Sequence, residues 1–239
     1  MNYLIGIDLG TSSTKTVLFD EKGEVIASAS KDYPLYTPHN GWAEQKPEDW
    51  RDAALETITK VVKDSGVAAD DIKGLGISGQ MHGLVMLDEQ GEVIRPSIIW
   101  CDQRTEKECE EMTEKVGAEK LIEITANPAM TGFTASKILW VRNNEPENYA
   151  KCKHILLPKD YVRYILTGEF ATEVSDASGM QLLDVPKRQW SDELLEILDI
   201  DKSLLAKVYE SPEVTGTILP EIAAKTGLST STVVVGGAG

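Results

Sequence analysis

The chain has 239 residues, 41% hydrophobic and 26% charged, a composition that excludes collagen-like, low-complexity and wholly disordered classes. At this length an α/β domain buries about 70% of its unfolded surface, so a core forms without disulfide or metal staples. With 24 basic against 39 acidic side chains the net charge is −15, a field that repels phosphate backbones and anionic lipid heads and disfavours nucleic acid and membrane as partners.

The apolar run at 3–9 and a second at 14–20 flank the turn residues Gly10, Thr11 and Ser12, which predicts a β-hairpin. A turn at Asp20–Gly23 and a strand from Val25 extend it into an antiparallel meander, which disfavours a Rossmann βαβ start. Trp50, Ala54, Ile58, Val61 and Val62 fall at helical spacing behind Pro47, Glu48 and Asp49, with Gly66 as the stop: a helix over 47–64. A buried strand is expected at 72–78, then the loop Gly79–Gly83, then a hairpin of 84–87 with 93–94. Ile98 to Trp100 reads as a strand, and a charged helix with a narrow apolar stripe at Cys109, Met112 and Val116 starts near Arg104. Helical patterns follow at 134–143 and 159–167. A hairpin joining 170–172 to 182–183 is expected next, then a helix opened by Ser191 and a short one at 220–227. The β-branched run at 232–235 leads into Gly236–Gly239, where backbone N–H groups are expected to face a ligand. No internal repeat or low-complexity linker divides the chain. Cys101, Cys109 and Cys152 are odd in number and in no ligand spacing, the N-terminus lacks a basic leader, and no apolar run reaches the ~18 residues of a membrane span. Those features point to a reducing cytoplasm.

Three segments carry chemistry. In Asp8–Lys15 an acid ends a strand before a turn of glycine and hydroxyl residues, with a cation beyond. Such a turn offers N–H and O–H donors to phosphate oxygens, Lys15 neutralises part of their charge, and Asp8 holds Mg²⁺ directly or through water. The alternative is a polar hairpin whose Asp8 caps its own turn. In Gly79–Gly83 the glycines admit close approach of a small ligand, Gln80 and His82 share hydroxyls, and Met81 gives an adaptable apolar wall, which suits a polyol or sugar. At Trp100–Arg104 an indole can stack on a sugar face while Asp102 and Arg104 bind hydroxyls; a buried Trp beside a surface Asp–Arg pair is the competing reading.

The segments GIDLGTSSTK at 6–15, GISGQMHG at 76–83, RPSIIWCDQR at 95–104, TGFTASKILWV at 131–141, LLPKDYVRYILTGE at 156–169 and SDASGMQLLDV at 175–185 together resemble the FGGY carbohydrate kinases, within which the match is best to kinases of D-xylulose. The resemblance implies a ribonuclease H-like (actin-like ATPase) α/β domain, with mixed sheet and flanking helices, as the N-terminal domain of a two-domain enzyme. It implies ATP and Mg²⁺ as cofactors, Asp8 as the metal-linked acid, and Thr11, Ser12 and Lys15 as phosphate contacts. Met81 and His82 match the substrate-contacting pair, with Gln80, Trp100, Asp102 and Arg104 behind them. An Asp that removes the sugar-hydroxyl proton is expected just after Gly239, so the 239 residues alone are expected to be inactive and, with a cleft wall uncovered, able to form a homodimer. Kinases of another ketose, a polyol or an aldonate remain as alternatives, as do an actin- or Hsp70-like nucleotide switch and a binding module without turnover.

Overall fold

Strands β1 (Tyr3–Leu9), β2 (Ser13–Asp20) and β3 (Val25–Asp32) form the expected meander in a computed structural model that describes residues 1–239. The alternation on β1 is strict: Ile5, Ile7 and Leu9 point into the core, whereas Leu4 and Asp8 are exposed on the other face. After the two-residue strand β4 (Glu44–Gln45), helix α1 (Pro47–Ser65) covers the buried face. Pro47 presets its first turn and Gly66, at φ +64°, closes it in the left-handed conformation. A hydrogen bond of 2.7 Å between the hydroxyls of Thr16 and Thr57 ties α1 to β2 in an otherwise apolar layer.

Strand β5 (Ile72–Gly79) returns parallel to β1 and pairs Leu4 to Leu9 with Gly74 to Gly79. Next come β6 (Val85–Leu87) and β7 (Ser97–Ile98), then a helical group of α2 (Glu106–Val116), α3 (Ala118–Thr125), α4 (Thr134–Asn144) and α5 (Pro146–Lys151). Strand β8 (His154–Leu156) leads to α6 (Pro158–Thr167), β9 (Ala171–Glu173), the single turn α7 (Val174–Ala177), β10 (Leu183–Asp184) and β11 (Gln189–Trp190). The chain continues through α8 (Asp192–Leu198), β12 (Lys207–Tyr209), β13 (Val214–Thr217), α9 (Pro220–Thr226) and β14 (Val233–Val235). The central sheet has the order β13–β14–β5–β1–β2–β3, with β14, β5 and β1 parallel and the remaining pairs antiparallel. It is the mixed sheet with flanking helices that the resemblance implies.

The expected hairpin of 84–87 with 93–94 forms at its closing end, where Leu87 bridges Val93 and the Ile94 N–H donates to Met86 O at 3.0 Å, and β6 also pairs with β8, far along the chain. One pairing differs from expectation. The hairpin expected between 170–172 and 182–183 does not form: β9 pairs in parallel with β12, and β10 closes a tight hairpin with β11. These strands have two or three residues each, too few for alternation to select a partner.

There are two apolar clusters. One lies between the sheet and α1, α6 and α9; the other is built from α2, α3, α4 and α8 around Met86, Leu139 and Leu182. The loop after β5 meets the start of α4, where Thr134 and Lys137 donate to His82 O.

Candidate active site

Asp8 and Lys15 face each other across β1 and β2, both exposed, at the end of the sheet face that no helix covers. Gly6, Gly76, Ser78, Gly237 and Ala238 line the same cleft, of about 420 Å³. The adjoining turn is closed by the Gly10 N–H donating to Ser13 O at 3.0 Å, and Tyr33 fixes it by donating its hydroxyl to Gly10 O. Hydroxyl side chains at Thr11 and Ser12 follow, with Ser12 exposed. The phosphate-binding expectation therefore meets a held turn at the mouth of an open cleft. No group of three or more His, Cys, Asp or Glu side chains forms a cation cage. A lone exposed carboxylate still fits Mg²⁺, which keeps most of its waters and takes one or two protein carboxylates together with phosphate oxygens.

The Gly236–Gly239 segment differs from expectation. Its four N–H groups donate inward, to Glu213 O, Ser211 O, Ile77 O and Ser175 Oγ at 2.9–3.1 Å, so they are not a ligand cradle. What that loop offers the cleft is close backbone approach. Gly237 sits at φ +92° against Ile77, where a side chain has no room.

A second pocket, of about 280 Å³, opens on the other side of that loop, lined by Met81, His82, Asn127, Phe133, Ser175 and Asp176, with Gly179 and Gly239 at its edges. Met81 is 40% exposed. His82 adopts φ +66°, stacks on Phe133 with centroids 4.1 Å apart, and sets Nδ1 3.1 Å from Gly179 O. That contact assigns the proton to Nδ1, because a carbonyl only accepts, and leaves Nε2 as an acceptor. Gly179 is required here, since a Cβ would collide with the imidazole. Burial, reinforced by the Lys137 charge, lowers the His82 pKa to about 4, so the ring is neutral at physiological pH.

The remaining expected sugar contacts lie elsewhere. Gln80 is buried, and its amide donates to Gln45 Oε1 at 2.8 Å, while Gln45 donates to Thr11 O at 2.7 Å and accepts from Trp50. It braces the phosphate turn. Asp102 has no exposed surface; it accepts from the Ala43 N–H at 2.6 Å and from the Arg104 guanidinium at 2.7–3.0 Å. Arg104 also pairs with Glu44 at 2.8 Å and lies 3.7 Å over the Trp42 ring. Both side chains are locked into an internal network and bring no hydrogen-bonding group to the pocket, which corrects the hydroxyl-binding expectation. Trp100, 42% exposed, stands outside the His82 pocket and donates its indole N–H to Thr11 Oγ1 at 2.9 Å.

Sequence reasoning singled out neither Phe133 nor the buried charges beneath the pocket. Lys159 lies 3.1, 3.2 and 3.3 Å from Asp160, Glu173 and Asp176, all fully or nearly fully buried, and Arg163 pairs with Asp160 at 2.6 Å and with Gly236 O. Two cations face three carboxyls, so one proton neutralises the set. Burial drives the Asp176 pKa up to about 7 against the pull of Lys159, so that carboxyl holds a proton well above the usual carboxylate range. The PKD and SDAS segments carry most of these charges, but their convergence inside the fold is a long-range feature that no local pattern marks.

Over residues 3–239 the chain matches the N-terminal domain of the FGGY family of carbohydrate kinases. It is 46% identical over 237 residues to the xylulose kinase of Bacillus subtilis strain 168, covering 99% of this chain and 47% of that protein. The crystal structure of xylulose kinase from Rhodospirillum rubrum superposes with a TM-score of 0.94 at 30% identity, covering 99% of this chain and 49% of that one. Gluconate kinase from Lactobacillus acidophilus superposes with a TM-score of 0.93 at 31% identity, over 99% and 48%. The chain thus spans about half the length of the relatives it matches.

Proposed function

The chain belongs to the FGGY family of carbohydrate kinases, and from that premise we propose that it forms the sugar-binding and phosphate-binding wall of a kinase moving the γ-phosphoryl group of ATP to the C5 hydroxyl of D-xylulose. The observation that carries the reading is the β1–β5 register: Asp8 pairs with Ser78 and Leu9 with Gly79, so the phosphate turn and the sugar loop leave adjacent strands at the same end.

Phosphoryl transfer asks a protein for alignment of donor and acceptor and for stabilisation of charge on the moving group. Thr11, Ser12 and Lys15 hold phosphate oxygens, and Asp8 would hold Mg²⁺, directly or through water, which would supply countercharge to the phosphates. Met81 provides an apolar wall for the sugar carbons. His82, neutral and with Nε2 free to accept, takes a hydrogen bond from a sugar hydroxyl; it orients the acceptor and does not serve as the base. The base belongs to the stretch expected after Gly239. No helix is long and apolar enough to cross a membrane, and a cytoplasmic site of action belongs to the same reading.

The test is ADP release with Mg·ATP, comparing D-xylulose, glycerol and D-gluconate on the protein with its remaining half present and on residues 1–239 alone. Ketose-dependent turnover confined to the longer protein supports the proposal. Preference for gluconate favours the aldonate reading, for which the fold shared with gluconate kinase speaks. Sugar-independent hydrolysis favours the nucleotide switch.

A further inference from the structure

Helix α4 is buried at every position from Thr134 to Val141, and a lysine stands in the middle of that stretch. Lys137 has no exposed surface, and its amine is held by two carbonyls where a buried ammonium ordinarily requires a carboxylate. Nζ donates to His82 O at 2.7 Å and to Gly132 O at 2.8 Å. Thr134 Oγ1 donates to the same His82 oxygen at 3.1 Å. A leucine or methionine at 137 would continue the apolar pattern of the helix without any desolvation of charge, so the lysine is explained by what it holds.

The two carbonyls lie on separate segments, and each segment delivers one ring to the pocket. His82 comes from the loop after β5, Phe133 from the turn before α4, and the rings stack 4.1 Å apart at 29°. His82 also occupies the left-handed region at φ +66°, which non-glycine residues hold only where the surroundings fix them. We propose that Lys137 is a positioning residue of the sugar pocket: by clasping the carbonyls of His82 and Gly132 it sets the imidazole against Phe133 at the spacing where a sugar hydroxyl meets Nε2. The proposal rests on reading Met81–His82 as the sugar loop. Burial, opposed by Asp102, lowers the Lys137 pKa to about 7, and Cys101, Arg104 and His82 complete its ionisable surroundings. The clasp survives this, because a neutral amine keeps two N–H donors, one for each carbonyl.

The test compares Lys137→Met, Thr134→Val, His82→Ala and the His82→Ala/Lys137→Met double variant in steady-state assays of the complete kinase, with circular dichroism to verify folding. Expected for Lys137→Met is a ketose KM at least tenfold higher with the ATP KM within twofold, and a double variant no worse than His82→Ala alone. Thr134→Val, which removes one donor, should raise the ketose KM two- to fivefold. A folded Lys137→Met with ketose KM within twofold of wild type, a parallel rise of both KM values, or additive losses in the double variant overturns the proposal. If Lys137→Met does not fold, Thr134→Val decides: a selective ketose effect supports the clasp and an unchanged KM overturns it. Should His82→Ala itself leave the ketose KM unchanged, the reading of the sugar loop falls and the clasp with it. A loss in His82→Ala without one in folded Lys137→Met removes the clasp alone.

Discussion

The indole N–H of Trp100 donates to Thr11 Oγ1 at 2.9 Å, joining the turn after β7, which resembles a sugar-contacting segment, to the phosphate turn. Gln45 makes a second tie, accepting from Gln80 and donating to Thr11 O. The turn is thus braced from the side of the sugar loop. Trp100→Phe keeps an aromatic face and loses the donor. Since a partly exposed hydrogen bond contributes about 0.5–1.5 kcal/mol, the ATP KM should rise roughly two- to tenfold, and initial-rate kinetics at saturating ketose measure it. An unchanged ATP KM would show that the turn needs no such brace.

Asp8→Asn should lower kcat of the complete kinase by about 10²-fold or more, with the ketose KM within about twofold. The carboxylate stabilises metal-linked charge that develops during transfer, so its loss falls on the transition state rather than on sugar binding. A kcat within about threefold of wild type, less than 1 kcal/mol, contradicts the role.

An unperturbed histidine would place a limb near pH 6.5 in the ketose kcat/KM profile. With the His82 pKa lowered to about 4, the neutral ring persists through the assay range, and that limb should be missing. The imidazole proton signal followed by NMR should titrate below pH 5. The contrary result is an inflection near 6.5 that His82→Gln abolishes.

Asp176 yields a stability prediction with a definite sign. Its pKa rises from 3.8 unfolded to about 7 folded, so the folded chain binds the extra proton between those values. The stabilising contribution is complete below the unfolded value and is lost as pH rises through about 7. Asp176→Asn, which cannot ionise, lacks that loss and should gain stability relative to wild type between pH 4 and 8, on the order of a few kcal/mol at full ionisation. Urea unfolding at several pH values measures the difference; parallel curves would show that Asp176 holds no proton in the fold.

Legibility followed the range of the interactions. The hairpin that carries Asp8 and Lys15 was readable because its two apolar runs are joined by one short turn, and α1 was readable because Pro47 and Gly66 bracket one apolar stripe. Pairing of β9 with β12 was not, because residues 171–173 find partners at 207–209 across a hairpin and a helix. Lys137 and Lys159 were invisible for another reason. A charged residue in a helical window reads as solvent-facing, and only the packed structure shows carbonyls or carboxylates converging on it. Asp102 and Arg104 pair with each other as the competing reading had it, but inside the fold, with Trp100 and not the pair left exposed: residue types suited to binding hydroxyls are equally suited to binding each other.

The parallel register of β1 and β5 has an implication for diversification. Neighbouring strands lie about 4.8 Å apart, so the spacing between the phosphate turn and the sugar loop is a property of the sheet, independent of what either loop contains. Such a sheet acts as a fixed mount with one interchangeable fitting. Residues 81–83 can be replaced by the corresponding positions of a kinase for another acceptor without re-registering the Asp8 strand, provided Gln80 is kept as the brace of the phosphate turn, so altered acceptor choice is best sought there and around Phe133, leaving residues 6–15 as they are.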